Sequence, residues 1–321
     1  MHVFVTGGSG FVGGHLIERL VREGHSVSAL ARSESSAAKV SGYGARAVRA
    51  ELGELAAAHL QGAEALIHCA ALAEDWGTRE QFVQANVEGT RRALAAAREA
   101  GVRRFVHVGT EAALFTGQPL EGVDESMPLP TRHQFLYSET KAEAERLVLA
   151  AHGPDMHTVS VRPRLVWGPR DASVLPALLE TVKAGGFWWI NQGKELTSTC
   201  HVDNLVEALL LALERGEGGR AYFITDGEER TLREFLSAMV ATRGVTLPDR
   251  SLPAPLVRGA ADLCEGVWRL FSLQGRPPLT RFGAYMLAVT MTVRDDAARR
   301  DLGYRPLISV DEGLRRLREV Q

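Results

Sequence analysis

The stretch HVFVTGGSGFVGGHLIERLVREG, residues 2–24, decides the fold. Residues 2–6 form a short apolar run that ends in glycines. Beyond them Val12, Leu16, Leu20 and Val21 recur at helical spacing, which predicts a helix over residues 11–23. A strand, a tight turn and a helix therefore open the chain. Gly7, Gly10 and Gly13 form a GxxGxxG in that turn. Glycine permits the tight backbone there and lets main-chain N–H groups approach a pyrophosphate at the helix N-terminus. The spacing is common by itself, but its place between the first strand and the first helix makes it a dinucleotide-site signal.

Working outward, the pattern repeats. Residues 26–31, 46–50, 64–69, 103–108 and 158–161 read as strands, with helical stretches near 55–60, 80–100 and 139–152. Such alternation predicts an α/β fold, a Rossmann-type doubly wound parallel sheet. The continuous apolar run at 65–69 suits a strand covered on both faces. After Pro163 the regularity loosens into GPR (168–170) and GGFWWINQG (185–193). A helix over 202–213 and the run AYFIT (221–225) return to the sheet. The expected division is a dinucleotide-binding domain at 1–167 with return elements at about 198–226, and a smaller, mostly helical substrate-binding part at 168–197 and 227–321. Within the latter, residues 256–271 are apolar but broken by Arg258, Asp262, Glu265 and Arg269. They read as an amphipathic helix lining a pocket, with contact to a membrane surface as the alternative.

A net charge of −2 gives no electrostatic footprint for nucleic acid, so the expected partner is a small molecule. The three cysteines, Cys69, Cys200 and Cys264, lie far apart and predict neither a metal site nor a disulfide framework. The N-terminus enters directly into a strand, and the helix after it carries Glu18, Arg19 and Arg22, so a cytoplasmic protein without a transmembrane segment is expected.

The second strand ends in Ala31 and Arg32. An acid at such a strand end hydrogen-bonds the adenosine ribose of NAD and repels a 2′-phosphate, whereas arginine is a bidentate phosphate partner. NADP(H) is thus the preferred cofactor, with NAD(H) second; Ser33, Ser35 and Lys39 are possible further donors or plain loop residues. Far downstream, YSETK (137–141) sets Tyr137 and Lys141 four residues apart, on one face of a helix. The chain has five tyrosines and, among 37 basic residues, the four lysines Lys39, Lys141, Lys183 and Lys194, which makes this pairing informative. A tyrosine titrates near pH 10 unperturbed, so a neighbouring ammonium would bring it toward working pH for proton exchange with a carbonyl or alcohol oxygen.

TGGSGFVGG (6–14), HCAA (68–71), NVEGT (86–90), YSETK, RPRLVWGP (162–169) and HVDN (201–204) occur in order. Together they resemble the extended short-chain dehydrogenase/reductase family, over residues 3 to about 310. DWG (75–77), VGTEA (108–112) and PPLTRF (277–282) resemble its branch of 3β-hydroxysteroid dehydrogenases and bacterial sterol-type and β-keto acid reductases. The resemblance implies a catalytic group of Thr110, Tyr137 and Lys141, with Lys141 also holding the nicotinamide ribose and Thr110 donating to the substrate oxygen. A slip of one residue would put Glu111 in the threonine slot, where a carboxylate is a poor donor. The resemblance also implies cofactor contacts from Gly7, Gly10, Phe11, Val12, Gly13, Ala70, Ala71, Pro163 and Val166, and a homodimer. Asn86 is expected to tie helix to strand, and His68 and His201 to be structural.

The function expected is interconversion of a ketone and a secondary alcohol on an apolar substrate, 3β-hydroxysteroid-like or 2-alkyl-3-keto acid-like. Trp167, Phe187, Trp188, Trp189, Trp268, Phe271 and Phe282 are the candidate aromatic walls, or else core and interface residues. The alternative is a nucleotide-sugar epimerase or dehydratase, for which Arg170, Arg230 and Arg276 would have to meet a diphosphate. A dinucleotide sensor without activity is disfavoured by the intact Thr110, Tyr137 and Lys141.

Overall fold

The computed structural model describes residues 1–319. Seven parallel strands form its central sheet: β1 (His2–Thr6), β2 (Ser26–Ala31), β3 (Arg46–Arg49), β4 (Ala65–His68), β5 (Arg104–Val108), β6 (His157–Pro163) and β7 (Arg220–Ile224). Their order is β7-β6-β5-β4-β1-β2-β3, every neighbouring pair running parallel. The chain leaves β1 in one direction and crosses back to β4 on the other side, so the sheet order reverses between these two strands. That switch point is where an open α/β sheet leaves a crevice at its strand ends.

Helices cover both faces, as the apolar strand runs require. Five of them recur below: α1 (Phe11–Arg22), α2 (Glu34–Gly42), α3 (Gly89–Glu99), α4 (Leu136–Ala150) and α5 (Val202–Arg215). One core joins Val3, Val5 and Ile67 to Leu16 and Leu20 of α1 and Leu205 and Leu209 of α5. The opposite face packs Phe4, Leu66 and Phe105 against Ala93 and Ala97 of α3. Each of these fully buried large side chains contributes about 2 kcal/mol, so the strand ends are held by a stiff frame.

One expected helix differs. Residues 55–60 hold only a short 3₁₀ turn at Ala57–Leu60, after another at Leu52–Glu54, because Leu55 and Leu60 anchor the segment as single points and no continuous apolar face follows them.

Beyond the main sheet, four short strands (Leu120–Val123, Leu196–Ser198, Glu229–Thr231 and Met291–Val293) make a small mixed sheet. The expected amphipathic segment is α6 (Ala254–Leu270). It buries Val257, Ala261 and Glu265 and exposes Leu256, Leu263 and Leu270. No helix among the described residues is long and apolar enough to cross a membrane.

Candidate active site

The β1–α1 turn is built for close backbone approach. Gly7 has φ +69°, and a Cβ there would lie 2.7 Å from the Ala70 amide nitrogen; one on Gly13 would lie 2.2 Å from the Gly7 carbonyl oxygen. Side chains are excluded at both positions. Gly10 caps α1 with no side-chain hydrogen bond, so Phe11 and Val12 open a twelve-residue helix whose first-turn amides have no side-chain cap. Free donors at the positive end of a helix suit a pyrophosphate, and the residues present therefore fit a dinucleotide.

At the end of β2, Ala31 is buried and Arg32 is exposed, with no side-chain hydrogen bond or ion pair among the described residues. Ser33 is not a free donor as the sequence allowed. It caps α2, donating to Ser36 Oγ at 3.1 Å and accepting from the Ser36 amide at 3.2 Å. A second cation stands close by: Arg49 pairs in register with Ala31 across β2 and β3, and meets exposed Glu34 at 2.7 Å.

The catalytic candidates converge on the other side of β4. Tyr137 opens α4, and Lys141 and Glu145 follow at four-residue intervals on the same face. Lys141 is 3% exposed and donates to the Val108 carbonyl at 2.8 Å, with His107 Nε2 at 3.4 Å. Burial lowers the lysine to about 8 against the opposing pull of Glu145. Burial and that ammonium together hold His107 well below the ordinary histidine range. Behind Lys141, Glu145 accepts two bonds of 3.0 Å from Arg162 Nε and one of 2.7 Å from Ser160, all of it buried.

Thr110 lies past the end of β5. Its hydroxyl donates to Glu111 Oε2 at 2.8 Å and accepts from the Ala112 amide at 3.2 Å. Arg164 holds the other Glu111 oxygen at 2.8 Å, and the pair is 3% and 6% exposed. The Thr110 proton is therefore directed at a carboxylate, where the sequence led us to expect a free donor. Tyr137 also departs from expectation. Burial raises its phenol above 10, Glu111 raises it further, and Thr110 opposes them. The Lys141 ammonium, expected from sequence to face the phenol, donates instead to the Val108 carbonyl.

Three secondary expectations concern supporting residues. Asn86 bridges Leu72, by both its main-chain groups, to Thr140 of α4. His68 sits between Thr6 at 2.7 Å and Thr90 at 3.1 Å, its pKa lowered to about 3 by burial first and Lys141 second. His201 caps α5 through the Asp203 amide. Of the other residues singled out, Pro163 ends β6, Val166 pairs with Cys200, and Ala70 and Ala71 follow β4 opposite the glycine turn.

A cavity of about 260 Å³ opens beside Tyr137, walled by Phe82, Phe135, Leu136 and Phe282, with Phe282 edge-on to Tyr137 at 5.4 Å. Of the seven aromatics proposed from sequence, only Phe282 lines it. Trp167 is core, donating to Asp226 and packing on Phe235; Phe187 and Trp189 pack on each other; Trp188 and Phe271 are exposed. Arginines on the cavity wall are matched by acids: Arg79 with Glu139 by two bonds of 2.8 Å, Arg281 with Asp262 at 2.6 Å, and Arg269 with Glu265 at 3.7 Å. Arg170, Arg230 and Arg276 are likewise engaged, by Glu18, by Glu228 and Asp311, and by Asp75.

Arg164, Glu145, Arg162 and Arg49 were not found as site residues by sequence reasoning, and Glu111 was weighed there only as an occupant of the threonine slot and set aside. Signals existed for some of them: Glu145 continues the four-residue spacing of Tyr137 and Lys141, and Arg162 and Arg164 alternate at strand period. Nothing in the sequence joins either arginine to its acid.

The sequence profile of the NAD dependent epimerase/dehydratase family matches residues 3–225. The chain belongs to the extended short-chain dehydrogenase/reductase family. This extended short-chain dehydrogenase/reductase is 46% identical to a 4-hydroxy-2-methyl-3-oxo-4-farnesyl-3,4-dihydroquinoline-1-oxide ketoreductase of Stigmatella aurantiaca, over 100% of this chain and 96% of the relative. It is 37% identical to a 2-alkyl-3-oxoalkanoate reductase of Stenotrophomonas maltophilia, over 99% and 98%. Its fold matches that of UDP-glucuronic acid 4-epimerase from Bacillus cereus in complex with NAD with a TM-score of 0.77 at 18% identity, covering 100% and 98% of the two chains. The protein is an NAD(P)-dependent oxidoreductase of this family.

Proposed function

We propose that this oxidoreductase reduces a ketone on an apolar substrate to a secondary alcohol with NADPH, and that Tyr137 supplies the proton. The cavity carries the reading: Tyr137 shares it with three phenylalanines, and the arginines on its wall already have carboxylate partners. A sugar nucleotide needs cations free for its diphosphate, whereas a carbonyl on a hydrocarbon frame needs apolar walls and one proton donor. The names of the two relatives point the same way, toward a 3-oxo group on an alkyl or prenyl framework.

The nicotinamide, when bound, supplies the hydride to the carbonyl carbon. Tyr137 gives its phenolic proton to the carbonyl oxygen, leaving the alcohol and a phenolate that solvent reprotonates. Lys141 stands one turn along α4, where its ammonium orients the nicotinamide ribose. Thr110 is the second hydrogen-bonding group at the developing negative oxygen. Gly7, Gly10, Gly13 and the first-turn amides of Phe11 and Val12 hold the pyrophosphate, Ala70 and Ala71 back the turn, and Pro163 and Val166 border the nicotinamide end. Arg32, with Arg49 beside it, takes the 2′-phosphate. In the same reading the enzyme is a cytoplasmic homodimer, which cell fractionation and sedimentation of the purified protein check.

The test is NADPH oxidation against 2-alkyl-3-oxoalkanoates, prenylated cyclic ketones and steroid ketones, with UDP-sugars as the contrasting arm. Turnover of a ketone that Tyr137→Phe loses by at least about a thousandfold, with NADPH affinity within about twofold, supports the reading. UDP-sugar conversion without ketone reduction, or full activity in Tyr137→Phe, overturns it.

A further inference from the structure

A buried ion pair stands behind Thr110. Glu111 and Arg164 are each almost fully enclosed, and the Arg164 Nε has no hydrogen-bond partner, so the pair is incompletely compensated. Such pairs are weak sources of stability, since a well-packed apolar pair of the same volume does as well or better. Leu165, next to Arg164, has φ +43°, a left-handed conformation a branched side chain rarely adopts. The chain thus turns sharply just where Arg164 must reach Glu111.

We propose that Glu111, pinned by Arg164, is a positioning residue. By accepting a hydrogen bond from the Thr110 hydroxyl it orients Thr110 and sets a negative charge near Tyr137, and so fixes the pH range over which Tyr137 is a proton donor. The inference rests on the Tyr137 role given above.

The geometry works through two effects. First, Thr110 spends its proton on Glu111 and its acceptor capacity on the Ala112 amide. It can donate to a Tyr137 phenolate only by giving up the Glu111 bond, so phenolate forms with less help than an unencumbered hydroxyl would give. Second, the carboxylate acts on the phenol directly, and both it and burial favour the protonated form. Arg164 keeps Glu111 from being a bare charge, which lets Thr110 turn to a substrate oxygen once negative charge develops there. The consequence is a tyrosine kept protonated, as ketone reduction requires, over a wider alkaline range.

The other charged groups around the phenol are engaged elsewhere. On α4, Lys141 donates to Val108, Glu139 pairs with Arg79, and Glu145 faces Arg162. On β4 and β5, His68 and His107 are held low by burial, and just past β4 burial pushes Cys69 up to about 12. Across the cavity Glu265 accepts from the Arg281 amide and lies 3.7 Å from Arg269, Arg281 pairs with Asp262, and Asp75 pairs with Arg276 and Thr280. Glu111 is the carboxylate whose segment packs on the start of α4: Ala112, Leu114 and Phe115, directly after it, share one buried cluster with Tyr137.

The experiment is the pH profile of kcat/KM for ketone reduction by the NADPH-loaded enzyme, in Glu111→Gln and Glu111→Asp. The glutamine variant is expected to move the alkaline limb down by about one pH unit and to raise alcohol oxidation near neutral pH several-fold, with NADPH affinity unchanged. The aspartate variant retains the charge and should restore most of the limb. An unmoved or upward limb in Glu111→Gln overturns the proposal. If the single variant does not fold, Glu111→Gln with Arg164→Met removes the pair as a unit and must show the same shift. If neither folds, ultraviolet titration of the native enzyme against Tyr137→Phe decides, since a Tyr137 phenolate appearing below the ordinary tyrosine range would overturn the assignment. Failure of the underlying reading looks different: Tyr137→Phe would then keep its turnover whatever happens at Glu111.

Discussion

Lys141→Met should make the protein more stable and inactive at once. Burial brings the lysine from its ordinary 10.5 to about 8, which corresponds to about 3 kcal/mol of penalty on the charged form. The side chain is almost wholly enclosed, so solvent screening removes little of this. Methionine keeps most of the volume and carries no charge. It also strips the Val108 carbonyl of its donor, a loss of about 1 kcal/mol. The net gain is about 2 kcal/mol near neutral pH, or roughly 4 °C in Tm for a chain of this size. The pH dependence gives the sign. A lysine whose folded value lies below its unfolded one destabilises fully below about pH 8. Between about 8 and 10.5 the folded state releases a proton that the unfolded state retains, so stability of the native enzyme rises with pH. The advantage of the methionine variant must therefore shrink across that window and give way above it to a deficit of about 1 kcal/mol, the lost Val108 bond alone. Calorimetric scans at one scan rate, at neutral pH and near pH 10, measure both points. A variant less stable than the native enzyme at neutral pH, or a difference that ignores pH, would refute the claim that burial is what sets this lysine.

Two further perturbations address the cofactor end. Arg32→Ala should weaken NADPH binding by about tenfold to a hundredfold and leave NADH nearly untouched, read by protein-to-nicotinamide fluorescence transfer; Ala31→Asp should move the preference further toward NADH. Equal losses for both cofactors would remove Arg32 from the 2′-phosphate. Gly13→Ala puts a methyl group 2.2 Å from the Gly7 carbonyl oxygen, so the turn must open. Dinucleotide binding should fall below detection while the far-ultraviolet spectrum stays native, and binding at native strength would show that the turn does not hold the pyrophosphate.

What was legible in the sequence had local causes. The run from His2 to Gly24 writes its strand in one period and its helix in another, and the turn between them excludes side chains at Gly7 and Gly13. Tyr137 and Lys141 were legible because helix geometry alone puts them on one face. The aromatic walls were not. Trp167 and Trp189 look like pocket residues by composition, but their places were settled by Asp226 and Phe235 for the first and Arg233 for the second, residues distant in sequence that meet them only in the folded chain. Phe135 lines the cavity from the N-cap of α4, two residues before Tyr137, with no periodicity to mark it. Arg49 reaches Ala31 only through the register of β3 on β2.

The acids behind the site were hidden for a related reason, and their partners show a division of labour between the two basic residue types. Arg162 and Arg164 leave the end of one strand toward Glu145 and Glu111, one acid behind Lys141 and the other behind Thr110. A guanidinium keeps its charge at any working pH and can grip a carboxylate by two bonds, so it can fix an acid without itself titrating. Lys141 does the opposite. Its ammonium is compact, and burial brings its titration to about 8, within reach of physiological pH. In a chain where only four of 37 basic residues are lysines, lysine stands at the buried position one turn from Tyr137, where burial brings its titration near working pH, and arginine where the charge must stay. Exchanging the two types would leave the net charge of the protein unchanged, and would still remove the titration from Lys141 and the two-point grip from Glu145.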